Sequence, residues 1–102
     1  MSETQAKYEA PSAPRLTEGE ILSKVLTEQY HVFPGTTMTV CCLTLKNGYA
    51  VTGESACVSP ENFDEATGRH LAYGAAVRKV WDLEGYLLRQ RVLEGKAHEE
   101  GY

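Results

Sequence analysis

Polar and charged side chains gather between Glu54 and Arg69, and they are the first candidates for a binding site. Glu54 follows a strand-like run, where a carboxylate among apolar residues is costly unless it finds a partner. Asn62, Asp64 and Arg69 fall in the first turns of a predicted helix, whose free N–H groups attract anions. The sequence therefore predicts either a site for a small anionic ligand or a structural ion pair between Glu54 and Arg69.

Two further groups extend this candidate site. Ser55 lies in a Gly-Glu-Ser-Ala run that differs from the G-x-S-x-G nucleophile elbow, and no nucleophile-and-base signature accompanies it, so we expect no enzyme activity. Downstream, aromatic side chains lie near arginines and could hold a base and a phosphate, although packing in a core or an interface is the alternative. The candidate ligand-binding residues are Glu54, Ser55, Asn62, Asp64, Arg69, Arg78, Trp81 and Tyr86.

The thiols and imidazoles of the chain are too scattered to predict a metal or redox site. The three cysteines contain no C-x-x-C pair, and the three histidines lie in separate segments. We expect buried thiols that behave as small hydrophobic groups, and neither a metal nor a cofactor. A redox or metal protein stays open as a third class of function. The residues concerned are Cys41, Cys42, Cys57, His31, His70 and His98.

Composition bounds the class of protein. The chain has 102 residues and a net charge of −4, which fits one domain and argues against bulk binding of nucleic acid. It contains no apolar run long enough for a membrane span, and its N-terminus lacks a signal-peptide pattern. We therefore expect a cytoplasmic protein, with a mobile arm at residues 1–15, one α+β domain at 16–95 and a polar tail at 96–102.

A β-hairpin is predicted to position the candidate site. Asn47-Gly48 is the favoured pair for a two-residue type I′ turn, which would place Cys41 opposite Glu54 and Leu43 opposite Thr52. Both faces of the first strand are largely apolar. We therefore expect both faces to be covered, by helices or by another copy of the chain.

Helices are predicted on either side of the hairpin. Thr17 and Glu20 form a capping box that starts a helix ending near residues 29–32. Ser59 is the expected N-cap of a long second helix, with Val58 and Phe63 as its hydrophobic staple and residue 95, a glycine, as its stop. Interior glycines predict a bend or break near residues 81–82.

Several segments together resemble a family of small tailed-phage proteins labelled after the gene 49 and gene 66 products of two coliphages. They are Leu43–Tyr49 (LTLKNGY), Val51–Val58 (VTGESACV), Asn62–Asp64 (NFD), Trp81 and Glu84–Leu88 (EGYLL). The resemblance covers residues 37–91 and implies a phage or prophage origin. It carries over no catalytic residues, because the family has no assigned activity.

The phage setting shapes the expected function. Small phage proteins made in the host often disarm host processes, and some sequester nucleotide signals. By this analogy we expect a non-enzymatic accessory protein of the host cytoplasm that sequesters a small nucleotide-like signal at a subunit interface. The alternative is a protein-binding inhibitor of a host enzyme. Surplus apolar surface on the hairpin and on residues 77–88 predicts a dimer or a multiple of dimers.

Overall fold

The computed structural model describes residues 15–95, which form a three-stranded antiparallel sheet and two helices. The sheet order is β1-β2-β3, and the thinnest dimension is 18 Å, as expected for one sheet and one helical layer. The predicted α+β class is confirmed. The predicted arm, apart from Arg15, and the predicted tail with His98 lie outside the described residues. The elements are α1 (Glu18–Ser23), β1 (Val25–Val32), β2 (Met38–Leu45), β3 (Ala50–Ala56), a 3₁₀ turn (Pro60–Asn62) and α2 (Glu65–Leu93).

The first helix is much shorter than predicted, and a strand follows it. The capping box is confirmed, because the Glu20 N–H donates to Thr17 Oγ1 (3.2 Å) and the Thr17 N–H donates to Glu20 Oε1 (3.0 Å). The helix ends at Ser23, so the predicted extension to residues 29–32 is wrong. The segment VLTEQYHV is rich in β-branched and aromatic residues, and its backbone forms hydrogen bonds by pairing antiparallel with β2.

The hairpin is confirmed, but its register differs from the prediction by one residue. Leu43 pairs with Val51 and Cys41 pairs with Gly53, because the loop contains three residues instead of two. The Gly48 N–H donates to the Leu45 carbonyl (2.8 Å), and Gly48 alone in the loop has a positive φ, of 95°. A type I′ turn needs two such residues. This one-residue shift moves every side chain of β3 to the opposite face.

A small core lies between the sheet and α2. Its buried side chains come from β2, from α1 and from a stripe of small residues on α2. They are Ile21, Cys41, Leu43, Leu45, Ala72, Ala76 and Val80. The helix packs on β3 and β2 and barely reaches β1. The other face of the sheet, here called the open face, has no covering layer among the described residues, although we expected both faces to be covered.

The long helix begins later than predicted. Asp64, and not Ser59, is its N-cap, because Asp64 Oδ2 accepts a hydrogen bond from the Thr67 N–H (3.1 Å). The predicted staple is also wrong, since the Val58 side chain is fully exposed. The predicted break near residues 81–82 does not occur, because α2 is one uninterrupted helix of 29 residues. It stops before Gly95, whose φ of 74° confirms the predicted glycine stop.

Candidate functional site

The candidate residues of the sequence fall into several separate places, and three of them share a small pocket. This corner pocket has a volume of about 200 Å³ and lies where β3 leads into α2. Ser55, Asn62 and Asp64 belong to it. Its lining is mainly apolar and contains no basic side chain among the described residues. The lining residues are Thr37, Ser55, Ala56, Cys57, Asn62, Phe63, Asp64, Thr67, Gly68 and Leu71.

The polar groups of the corner pocket already have structural partners. Ser55 Oγ donates to the Gly68 carbonyl (2.8 Å) and ties β3 to α2. The Asp64 carboxylate accepts hydrogen bonds from the hydroxyl and backbone N–H of Thr67, which hold its pKa below the usual value. A carboxylate at the helix N-terminus occupies the place that an anion would take. The pocket therefore suits an apolar group and not the small anion that the sequence suggested.

Glu54 lies on the open face of the sheet and takes no part in the corner pocket. The shifted register pairs Glu54 with Val40, and its carboxylate accepts a hydrogen bond from the Thr52 hydroxyl (3.1 Å). Arg69 lies on the other side of the sheet, where it makes a 3.7 Å ion pair with Glu65. The predicted pairing of Glu54 with Arg69 is therefore wrong.

Arg69 instead lines a groove between α2 and the edge strand β1. We call it the tyrosine groove, and its volume is about 340 Å³. The guanidinium carbon of Arg69 lies 6.0 Å from the centre of the Tyr30 ring, at the outer limit of a cation–π contact. The groove is lined by Glu28, Tyr30, Ala66, Arg69, His70 and Tyr73.

The two phenols of the tyrosine groove are uncharged at physiological pH. Burial raises the pKa of Tyr30, and the hydrogen bond that its hydroxyl donates to Glu28 (3.0 Å) raises it further. Burial likewise raises the pKa of Tyr73. The groove thus offers two neutral phenol rings, the imidazole of His70, one guanidinium and one carboxylate. These groups can stack a planar ring, bind an anionic oxygen and accept an N–H hydrogen bond.

The remaining candidates on α2 do not join either cavity. Trp81 packs against the core, as the alternative interpretation of the sequence held. Arg78 is exposed, and Tyr86 is 74% exposed on the same helix. None of these three residues lines the corner pocket or the tyrosine groove.

The cysteines occupy three different environments. Cys41 is in the core, where burial raises the pKa of its thiol. Cys42 belongs to the open face, and Cys57 lines the corner pocket. Within residues 15–95, no group of three or more histidine, cysteine or acidic side chains is arranged to hold a metal ion.

Sequence reasoning missed Glu28, Tyr30 and Tyr73 as site residues. Glu28 and Tyr30 are two residues apart on β1 and therefore lie on the same face of the strand. The sequence predicts a helix for this segment, and in a helix these two residues would not share a face. Tyr73 follows Arg69 by four residues and therefore lies on the same side of α2. A strand assignment for residues 25–32 would place Glu28 and Tyr30 on one face, and the helix that carries Arg69 and Tyr73 would then be expected to pack against that face.

The described residues form a small α+β domain, and a family model shows that this domain is of a phage type. The model of the Phage protein (N4 Gp49/phage Sf6 gene 66) family matches residues 16–92, and the chain belongs to this family. This confirms the resemblance seen in the sequence. No curated protein matches the chain, and no solved structure matches it. Across residues 15–95, none of the helices is both long and apolar enough to cross a bilayer.

Proposed function

We propose that this phage protein is a non-enzymatic binding protein that acts in the host cytoplasm by sequestering a small nucleotide-like signal. The observation that supports it is the position of Arg69 above the Tyr30 ring in the tyrosine groove. A base stacks on a phenol ring, and a guanidinium binds a phosphate oxygen. Both groups face the same open cavity.

The carboxylates of Glu28 and Glu65 near Arg69 limit which ligands the tyrosine groove can bind. Glu65 pairs with the guanidinium at 3.7 Å and must give way when a phosphate binds. Glu28 stays beside Tyr30 and offers an acceptor to an amino or imino N–H of a base. A ligand with one accessible phosphate and a base rich in N–H donors fits these groups better than a polyphosphate, whose charge Glu28 and Glu65 repel.

Thermal melting with a panel of mononucleotides and dinucleotides tests this proposal. A ligand present at 100 times its Kd adds about 2.7 kcal/mol of stability, which is about 10 °C or more for a domain of this size. Arg69→Gln should abolish the shift. Arg78→Gln removes the same charge from an exposed position outside the groove and should keep the shift.

Two outcomes would contradict this function. The first is a melting temperature that no nucleotide in the panel changes. The second is a shift that Arg69→Gln retains, because the ligand would then bind outside the tyrosine groove.

The open face supports a second candidate, a protein that binds and inhibits a host enzyme. It exposes apolar side chains on adjacent strands, with Phe33 packed edge-on against His31 at a ring distance of 4.6 Å. Met38, Val40 and Cys42 continue this apolar surface along β2. A purified host enzyme that binds the native chain and fails to bind Val40→Glu would favour this function. Thr27→Glu, at the edge of the same face, is the matched control.

A further inference from the structure

We propose that a second copy of the chain pairs antiparallel with the free edge of β1 and completes the tyrosine groove. The inference rests on the proposed function, because it supplies the subunit interface at which the signal would bind. It concerns the strand edge, whereas the sequence pointed to the hairpin and to residues 77–88.

Within residues 15–95, no element pairs with the outer edge of β1. β1 is an outer strand of eight residues, contains no proline and carries one charged residue, Glu28. Every second residue therefore directs its backbone N–H and C=O away from the sheet. Such edges are templates for pairing with another chain, and folded proteins normally protect them with charges, prolines or a covering element. The only irregularity is a register shift between Val25 and Thr27, at the start of the strand.

Among the described residues, the tyrosine groove has a wall on one side only. Because α2 packs on β2 and β3, the side chains of β1 that point to the helical side form a floor beyond which no other element of residues 15–95 lies. Tyr30 and Glu28 lie on this floor, and Arg69 and Tyr73 form the wall. A copy placed along β1 would bring its own α2 to the opposite side and turn the groove into a two-walled cleft.

Charge complementarity selects one register for this pairing. A two-fold axis at Gln29 places Glu28 directly opposite the partner's Tyr30. Directly opposite residues share a face, so both α2 helices lie on the same side of a six-stranded sheet. Because Arg69 lies over Tyr30 within each copy, Glu28 then lies beside the partner's Arg69. The contact occurs twice, as a two-fold interface requires.

The completed cleft contains residues of both copies. Each Arg69 is flanked by Glu65 of its own chain and by Glu28 of the other. The two carboxylates hold the guanidinium in place over the ring until a ligand replaces one of them. Two phenol rings from each copy line the same cleft, so a ligand with two aromatic rings contacts both subunits.

Light scattering of the full chain, without ligand, is the first test. We expect about twice the chain mass of 11.3 kDa at high micromolar concentration. Glu28→Arg and Arg69→Glu each place like charges at the interface, and each should weaken dimerisation at least tenfold. The double variant restores the pair with its charges exchanged and should return the Kd to within a few-fold of the native value.

Asp82→Arg is the matched control, because it reverses an exposed acidic charge on α2 outside the tyrosine groove and leaves both carboxylates beside Arg69 in place. It should remain dimeric. Glu28→Gln replaces Glu28→Arg if circular dichroism shows that the reversed charge prevents folding, and it should weaken the dimer several-fold.

Three outcomes would overturn this interface. They are a monomer at high micromolar concentration, a dimer that both single charge reversals leave unchanged, and a double variant that stays monomeric. A dimer broken by Leu83→Glu instead would locate the interface on α2. If the charge variants change dimerisation as expected but no nucleotide raises the melting temperature, only the proposed function is rejected. If the protein is a monomer that binds nucleotide, only the proposed interface is rejected.

Discussion

Gly53 of β3 lies directly against the backbone of Ala76 in α2. A Cβ atom at Gly53 would overlap the Ala76 nitrogen and the Ala72 carbonyl oxygen, and it would lie 2.7 Å from the carbonyl carbon of Ala75. Backbone atoms cannot move aside as the end of a flexible side chain can. The sheet and the helix are therefore as close here as two backbones can pack.

Gly53→Ala should destabilise the protein by several kcal/mol, because the helix must move off the sheet across the core. Gly74→Ala is the matched control, since no atom of another element lies within 4 Å of its added Cβ and alanine favours a helix by about 1 kcal/mol. Chemical denaturation measures both. Equal stabilities of the two variants would contradict the close packing.

Thr39→Val should stabilise the protein by about 1 kcal/mol. Thr39 is fully buried, and its hydroxyl has no hydrogen-bond partner among the described residues. An unsatisfied buried polar group costs free energy that an apolar group of similar shape recovers. Denaturant unfolding gives the difference.

The neighbouring Thr37 provides the opposite case. Its hydroxyl donates to the Cys57 carbonyl (2.6 Å) and accepts from the Cys57 N–H (3.2 Å). Thr37→Val should therefore cost about 1–2 kcal/mol. A stabilising Thr37→Val, or a strongly destabilising Thr39→Val, would contradict these assignments.

The cap of α2 should make stability depend on pH in acid. Hydrogen bonds from Thr67 lower the pKa of Asp64 in the folded state, so its stabilisation is complete above the unfolded pKa of about 3.9 and is lost as the pH falls through the lower folded pKa. Asp64→Asn keeps a capping side chain that does not titrate. The native chain should melt higher than Asp64→Asn at pH 7, and this difference should shrink below about pH 4. A difference that stays constant with pH would refute the role of the carboxylate.

Gly48 should be the sensitive residue of the hairpin loop. Its φ of 95° disfavours side chains, so Gly48→Ala should cost about 1 kcal/mol or more. Gly48→Asn should lose less, because asparagine tolerates left-handed conformations better than alanine does. Thermal melting ranks the three chains, and alanine ranking above asparagine would contradict the observed loop.

Local patterns in the sequence predicted the parts of the fold that depend on interactions between residues close together in the chain. The capping box at Thr17, the hairpin at Asn47-Gly48 and the stop at Gly95 each follow from backbone chemistry within a few residues. Strand β1 was missed because Ile21, Leu22, Val25 and Leu26 also fit a helical stripe, and periodicity cannot separate the two over a short run.

The register and the site were harder to predict because they depend on partners distant in sequence. Asn-Gly suits both a two-residue turn and a three-residue loop with glycine in the left-handed region, so the pair does not determine which residue faces Glu54. The tyrosine groove needs β1, the correct register and the angle of α2 together. Only Arg69 of its lining was a candidate, and its predicted partner was wrong.

The stripe of small residues on α2 has a consequence for how the two layers are aligned. Gly68, Ala72 and Ala76 recur every four residues, so sliding the helix by about 6 Å along its axis would present nearly the same surface to the sheet. The packing of these three small residues therefore does not by itself distinguish the native alignment from one displaced by a turn. The hydrogen bond from Ser55 to the Gly68 carbonyl and the bulk of Val80 break this near-translational symmetry. The Ser55 hydroxyl and the Val80 side chain therefore fix together where Arg69 lies relative to Tyr30.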